Sequence, residues 1–269
     1  MHWKNWPPRR ENAKEVQIKV ETGLNRTGAK PGAELGALAT ALAACPHVRT
    51  MGVFSHFSTG ETKESPTAYR QFQLYQQALA QLQAAGIDPP QKHMCNSGGS
   101  DWFRASFCNA VRIGRRLYMD NQAEPLTPGT PGAVQEACSW RASVTNLRVV
   151  EAGDTVGYDA AWTAPRRTRV ATVCVGYGDG LYYPLAEAGG PLLVGEQRAR
   201  LLATCMDQCF VDVTDIPCRA GDEVTFFGQS SGGAAMPIQE LGKFMHVEGV
   251  YFYSFLSPRV ARVYEGLEP

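Results

Sequence analysis

Four short clusters in the first half of the chain carry side chains able to exchange protons or hold anions: Glu21 leading to Arg26, Ser55 with His56, Asn96 with Ser97, and Arg112 beside Gly114 and Arg115. Taken singly, each has an ordinary explanation. His56 reads equally as a hydrogen-bonded core histidine, Ser97 as a helix cap and Arg112 as an ion-pair partner. Their common position favours chemistry, because each cluster closes a segment that reads as a β-strand. A purely structural sheet has no reason to collect polar groups at one end, whereas a (β/α) barrel builds its active site there. Cys205 and Cys209 have three residues between them and no second pair nearby, so ordinary thiols are the expectation over a metal centre.

The elements that position these clusters follow from periodicity. Val16 to Glu21 alternates apolar and polar residues, an Ala- and Leu-rich helix runs from about Gly32 to Ala44, and Val48 to Phe57 forms the next strand. Ser65 and Pro66 supply the cap and first-turn proline of a second helix, which presents Tyr69, Phe72, Tyr75, Leu79 and Leu82 on one face and stops at Gly86. Short strands are expected at His93 to Ser97 and Ala110 to Ile113. This rhythm predicts a parallel sheet wrapped by helices. A closed barrel needs about eight strands, and only about four strand-helix units precede the Pro- and Gly-rich stretch from Gln122 to Trp140.

Beyond that stretch the pattern is all-β. Strands are expected at Ser143 to Val150, Arg169 to Gly176, Pro191 to Val194, Ala199 to Leu202, Cys209 to Val213 and Glu223 to Phe227, with Ala-Gly-Asp turns at 152–154 and 220–222. The fold class is therefore α/β then all-β: an incomplete (β/α)8 barrel over residues 1–130, then a C-terminal β domain over 131–269.

Lys plus Arg equals Asp plus Glu at 26 each, so global charge points to neither nucleic acid nor an anionic membrane surface, and a small-molecule partner is expected. The eight cysteines lack the spacing of a disulfide framework and suit reduced thiols in a cytoplasm. No apolar run is long enough for a bilayer, and MHWKNWPPRRENAKE has no apolar signal core.

The blocks KVETGLNRTG, GVFSHFSTGE, CNSGGS, VRIGRRLY, AGDTVGYDAAW, VGYGDG and CMDQCFVDVTD, in this order, resemble the alanine racemases. The resemblance spans about Val16 to Tyr264. It implies pyridoxal 5′-phosphate (PLP) as cofactor, interconversion of L- and D-alanine for cell-wall peptidoglycan, and a head-to-tail homodimer in which each site is completed by the partner's β domain. Racemisation needs two acid/base groups, one on each face of the reacting carbon. In the family one is a lysine that also holds PLP, and the other matches Tyr158. A phenol that ionises near neutrality needs positive charge or strong donors, which the resemblance supplies through His56 and Arg112. Arg112 is expected to meet the pyridine nitrogen. Ser97 and the backbone N–H groups around Gly114 and Arg115 are expected to hold the phosphate. Arg26 matches an arginine that meets the ring hydroxyl and the substrate carboxylate, and Met206 with Asp207 matches a loop of the partner subunit that closes over the substrate. Lys19 corresponds to a lysine carbamylated in some members, and reads equally as an ordinary strand lysine.

Three departures stand out. The family's PLP lysine lies in a K-A-N-A-Y-G-H-type motif, and none of Lys4, Lys14, Lys19, Lys30, Lys63, Lys92 or Lys243 has that context. Phe255, in SFLSPR, stands where members usually carry a phosphate-contacting tyrosine. Arg115 replaces a usually apolar residue. An N-terminally truncated racemase is the expectation, as a fragment, a mis-called start or a degenerate gene. The alternatives are a racemase of serine or another small amino acid, and an inactive dimerising remnant.

Overall fold

The computed structural model describes residues 14–118 and 137–266, and its first strand, β1 (Lys14–Lys19), runs parallel to β2 (Val48–Phe54), which runs parallel to β3 (Gln91–His93). Helix α1 (Ala33–Ala43) joins β1 to β2, and α2 (Pro66–Ala84) joins β2 to β3. The Ser65 hydroxyl accepts from Ala68 N–H at 3.3 Å, capping α2 ahead of its first-turn proline. The buried stripe of α2 is Ala68, Gln71, Tyr75, Ala78 and Leu82; of the expected face, Tyr75 and Leu82 are in it, Phe72 and Leu79 pack half-buried beside it, and Tyr69 is 39% exposed. Small residues at 68 and 78 let the helix approach the sheet, and the core it closes contains Ile18, Val20, Leu35, Val53, Phe57 and Met94.

Residues 110–113 are not a strand, contrary to the sequence reading. Its backbone meets the β3 side through Asn109 N–H to Lys92 O (3.2 Å) and Arg112 N–H to Cys95 O (3.0 Å), without a continuous ladder. Ahead of these, the Asn109 side chain takes over the ladder, accepting from Lys92 N–H (2.8 Å) and donating to Pro90 O (2.6 Å). Three strands, not four, are therefore present among the described residues of this unit. The expected boundary at 130/131 and the prolines 125, 128 and 131 lie outside the described residues.

The second compact unit comprises Tyr118 and the described residues from Ala137 onward. Its elements are β4 (Trp140–Val150), β5 (Thr155–Val156), β6 (Trp162–Thr163), β7 (Thr168–Val173), α3 (Tyr183–Glu187), β8 (Pro191–Val194), β9 (Gln197–Thr204), β10 (Cys209–Asp212), β11 (Glu223–Gln229), β12 (Ala235–Met236), α4 (Ile238–Met245) and α5 (Val250–Phe255). The large sheet has the order β12-β11-β4-β7-β10-β9-β8, and β8 pairs again with β11, so it closes on itself as an antiparallel barrel. Closure removes the exposed edges that an open sheet would present. The interior is filled by Val144, Ala171, Val173, Leu192, Leu201, Val211, Val224 and Phe226. Both Ala-Gly-Asp turns form, with Gly153 at φ 91° and Gly221 at φ 93°, a conformation that favours glycine. No helix among the described residues is long and apolar enough to cross a membrane.

Candidate active site

The first unit gathers its polar clusters around Arg112. One guanidinium nitrogen, Nη2, donates to Ser55 O at 2.6 Å and to His56 Nδ1 at 2.9 Å. The other, Nη1, donates to His93 Nδ1 at 2.6 Å and to His93 O at 3.3 Å. An arginine only donates, so both imidazoles must accept at Nδ1 and carry their proton on Nε2. His93 then donates from Nε2 to Gln17 Oε1 at 2.8 Å, while the ring of Phe54 stacks on His93 and lies 5.2 Å from the guanidinium carbon. Residues at the ends of β2 and β3, with Gln17 of β1 bracing His93, thus lock one cation in place.

The charge of Arg112 fixes the state of His56. Burial and then the charges of Arg112, Arg26 and Lys19 push its pKa down to about 4, so it is neutral near pH 7. His56 therefore contributes a polarised N–H donor rather than the positive charge that the sequence reading left open; the charge comes from Arg112. His93 is shifted the same way, by burial and by Arg112.

Glu21 and Arg26 belong to a loop that folds back on β1. Ala29 N–H donates to Lys19 O at 3.0 Å and Glu21 N–H to Ala29 O at 2.9 Å. Gly28, at φ 116°, is required there, since a Cβ would lie 2.8 Å from Lys19 O. The buried Glu21 carboxylate accepts from the N–H groups of Gly23 and Arg26, and although burial opposes it, these bonds hold its pKa below the usual carboxylate range. The Lys19 ammonium donates to Thr27 O at 2.8 Å, and burial pulls its pKa down.

Ser97 and Gly114 meet directly. Ser97 Oγ accepts Gly114 N–H at 3.0 Å, which leaves the hydroxyl proton free to be donated, and the space over Gly114 Cα is open. Arg115 has a partner that sequence could not name: its guanidinium pairs with Glu61.

In the second unit, Tyr158 stands at the tip of the β5–β6 hairpin with 74% of its surface exposed. Gly157 at φ 85° packs against Ala203, pinning the hairpin to the barrel wall. Met206 and Asp207 form the exposed β9–β10 turn. Hairpin and turn flank one groove of about 440 Å³, lined by Thr145, Arg148, Val156, Gly157, Gln208 and Phe210 among others. The VGYGDG turn is fastened to the same loop by Tyr177 N–H to Cys205 O (3.0 Å) and Gly178 N–H to Met206 O (2.8 Å), with Gly176 in contact with the Cys205 and Met206 backbone. Phe255 stacks on Tyr182 at 4.9 Å and offers no hydroxyl.

Sequence reasoning missed His93 and Gln17, which complete the Arg112 network, and Tyr177, which is exposed beside Met206. A histidine among the polar residues of a strand was the signal for the first. Tyr177 was already in view within a recognised block.

Comparison with known proteins gives a consistent result. The alanine racemase N-terminal domain model matches residues 2–122 and the C-terminal domain model residues 137–264. The alanine racemase of Desulforamulus reducens is 32% identical, over 93% of this chain and 67% of its own length; that of Symbiobacterium thermophilum is 34% identical, over 93% and 66%. Among solved structures, alanine racemase from D-cycloserine-producing Streptomyces lavendulae superposes with a TM-score of 0.85 at 29% identity, covering 96% of this chain and 68% of that one. The chain spans about two thirds of the length of these relatives.

Proposed function

Because this chain belongs to the alanine racemase family, we propose that it serves the interconversion of L- and D-alanine with PLP, as a cytoplasmic homodimer supplying D-alanine for peptidoglycan. The observation that carries this reading is the Arg112 network, a permanently charged donor held by two neutral histidines at the strand ends.

The residues suit the cofactor. Both terminal nitrogens of Arg112 are engaged within the chain, so its Nε–H is the donor left for a ring nitrogen. An arginine does not give up its proton, so a nitrogen facing it stays unprotonated. Ser97 Oγ–H and the open face of Gly114 suit a phosphate, with the Arg115 N–H beside them. PLP, when bound, supplies the electron sink that makes the Cα proton of an attached amino acid removable.

In this reading Tyr158 takes the Cα proton of L-alanine across a subunit boundary, its phenolate favoured by Arg112 and by the Nε2–H of His56. Arg26 receives the substrate carboxylate, and Met206 with Asp207 closes over it from the partner. The exposure of Tyr158 (74%) and Met206 (58%) supports a covering subunit. No residue of this chain is assigned to the opposite-face acid/base role.

That gap shapes the test. One base alone can remove the Cα proton, exchange it with solvent and return a deuteron to the same face, so the chain is incubated with PLP and L-alanine in D2O, and deuterium at Cα is followed by NMR. Exchange is expected, reduced at least about a hundred-fold in Tyr158→Phe. No exchange, or an undiminished rate in Tyr158→Phe, sinks the assignment.

A further inference from the structure

Two adjacent arginines open the short turn Arg115–Leu117, and they behave differently. Arg116 is buried and pairs with Asp101, a structural ion pair. Arg115, next to the Gly114 whose N–H meets Ser97 Oγ, instead pairs with the carboxylate of Glu61. That carboxylate rests on Gly98 so closely that a Cβ at residue 98 would overlap it. Ser97 and Gly98 thus form one wall of a cup and Gly114 and Arg115 the other, and a carboxylate already lies against it.

The two partners are not equally committed. The side chain of Arg115 is 20% exposed and that of Glu61 47% exposed. Glu61 can therefore return to water at little cost, whereas Arg115 is held by its surroundings. A phosphate carries more negative charge than a carboxylate and three acceptor oxygens, so it is the stronger partner for a guanidinium. Phosphate and Glu61 cannot share the cup without like-charge repulsion.

We propose that Arg115 is a phosphate-binding side chain and that Glu61 is an internal stand-in for the phosphate, holding the guanidinium beside Gly98 and yielding it when the cofactor binds. The proposal rests on the PLP reading above. The loop of Glu61 offers its own reporter, because Trp102 Nε1 donates to Gly60 O at 2.8 Å.

The test titrates the whole chain with PLP and, separately, with pyridoxal, which lacks the phosphate, following tryptophan fluorescence and confirming affinities by equilibrium dialysis. Wild type is expected to prefer PLP. Arg115→Leu should weaken PLP binding by about ten-fold to a hundred-fold while leaving pyridoxal unchanged. Arg115→Lys, which keeps the charge and guards against misfolding, should fall between, and Glu61→Gln should bind PLP several-fold more tightly. If wild type prefers PLP and Arg115→Leu keeps that preference, the role of Arg115 is overturned while the family reading stands. If Glu61→Gln binds PLP more weakly, Glu61 is a positioning group and the stand-in role is overturned. Absence of PLP binding, or of any preference over pyridoxal, overturns both this proposal and the cofactor reading.

Discussion

Nη2 of Arg112 lies 2.9 Å from Nδ1 of His56, and the same nitrogen donates to the carbonyl of Ser55 at 2.6 Å. One guanidinium edge therefore reads both the backbone and the side chain at the end of β2, and the histidine it meets must be a neutral acceptor. Two testable consequences concern this network directly, and a third concerns the loop that carries the proposed proton acceptor.

The first is pH dependence. The pKa of His56 is lowered from 6.5 to about 4 in the fold, so its contribution to stability is complete above about pH 6.5 and is lost as pH falls through about 4. His93 is shifted in the same direction and adds to the effect. Urea midpoints measured at intervals between pH 7 and 4 should fall with acidification, and His56→Gln should flatten part of that slope. A parallel slope in the variant would show that folding does not lower the pKa of His56.

The second concerns Tyr75, a helix residue whose ring lies in the core. Its hydroxyl donates to Val53 O at 2.7 Å and accepts His93 N–H at 3.1 Å, bridging β2 and β3 beneath the Arg112 site. Burial pushes its pKa well up, so it remains a neutral donor. Tyr75→Phe removes a buried hydroxyl that shares the Val53 and His93 backbone groups with the β2–β3 ladder and should cost about 0.5–1.5 kcal/mol in chemical denaturation. The backbone amide shift of His93 should also move by NMR, while its ring tautomer, held by Arg112 and Gln17, stays the same.

The third tests strain beside Tyr158. Asp159 and Ala160 both have φ 54°, the left-handed region in which a side chain is disfavoured. Ala160→Gly should relieve this and raise stability by about 0.5–1 kcal/mol after the added freedom of the unfolded chain is counted. A loss of stability of that size would mean that the turn is not held in this conformation in solution.

Much of this was legible from local pattern. Alternation and caps located β1, β2, α1 and α2, the Ala-Gly-Asp turns punctuated the second half, and ordered blocks placed Arg26, His56, Ser97, Arg112, Tyr158 and Met206 before any contact was known. The reason is that strand alternation, helix capping and glycine turns are set by residues within a few positions of one another. Residues 110–113 misled because apolar residues beside β3 imitate a strand, and only the Asn109 side chain, taking over the ladder, shows why pairing stops.

Which atoms meet was decided by tertiary structure alone. Arg112 finds histidines 19 and 56 positions away, because parallel strands bring their ends together whatever their distance in sequence. Arg115 looked like an unexplained charge until the fold set Glu61 against Gly98. The second unit likewise offered a list of short strands, and only the β8–β11 pairing closes them into a barrel. Local sequence determined the elements and the chemically able residues; long-range backbone pairing, which no short stretch encodes, decided their partners, protonation states and charges.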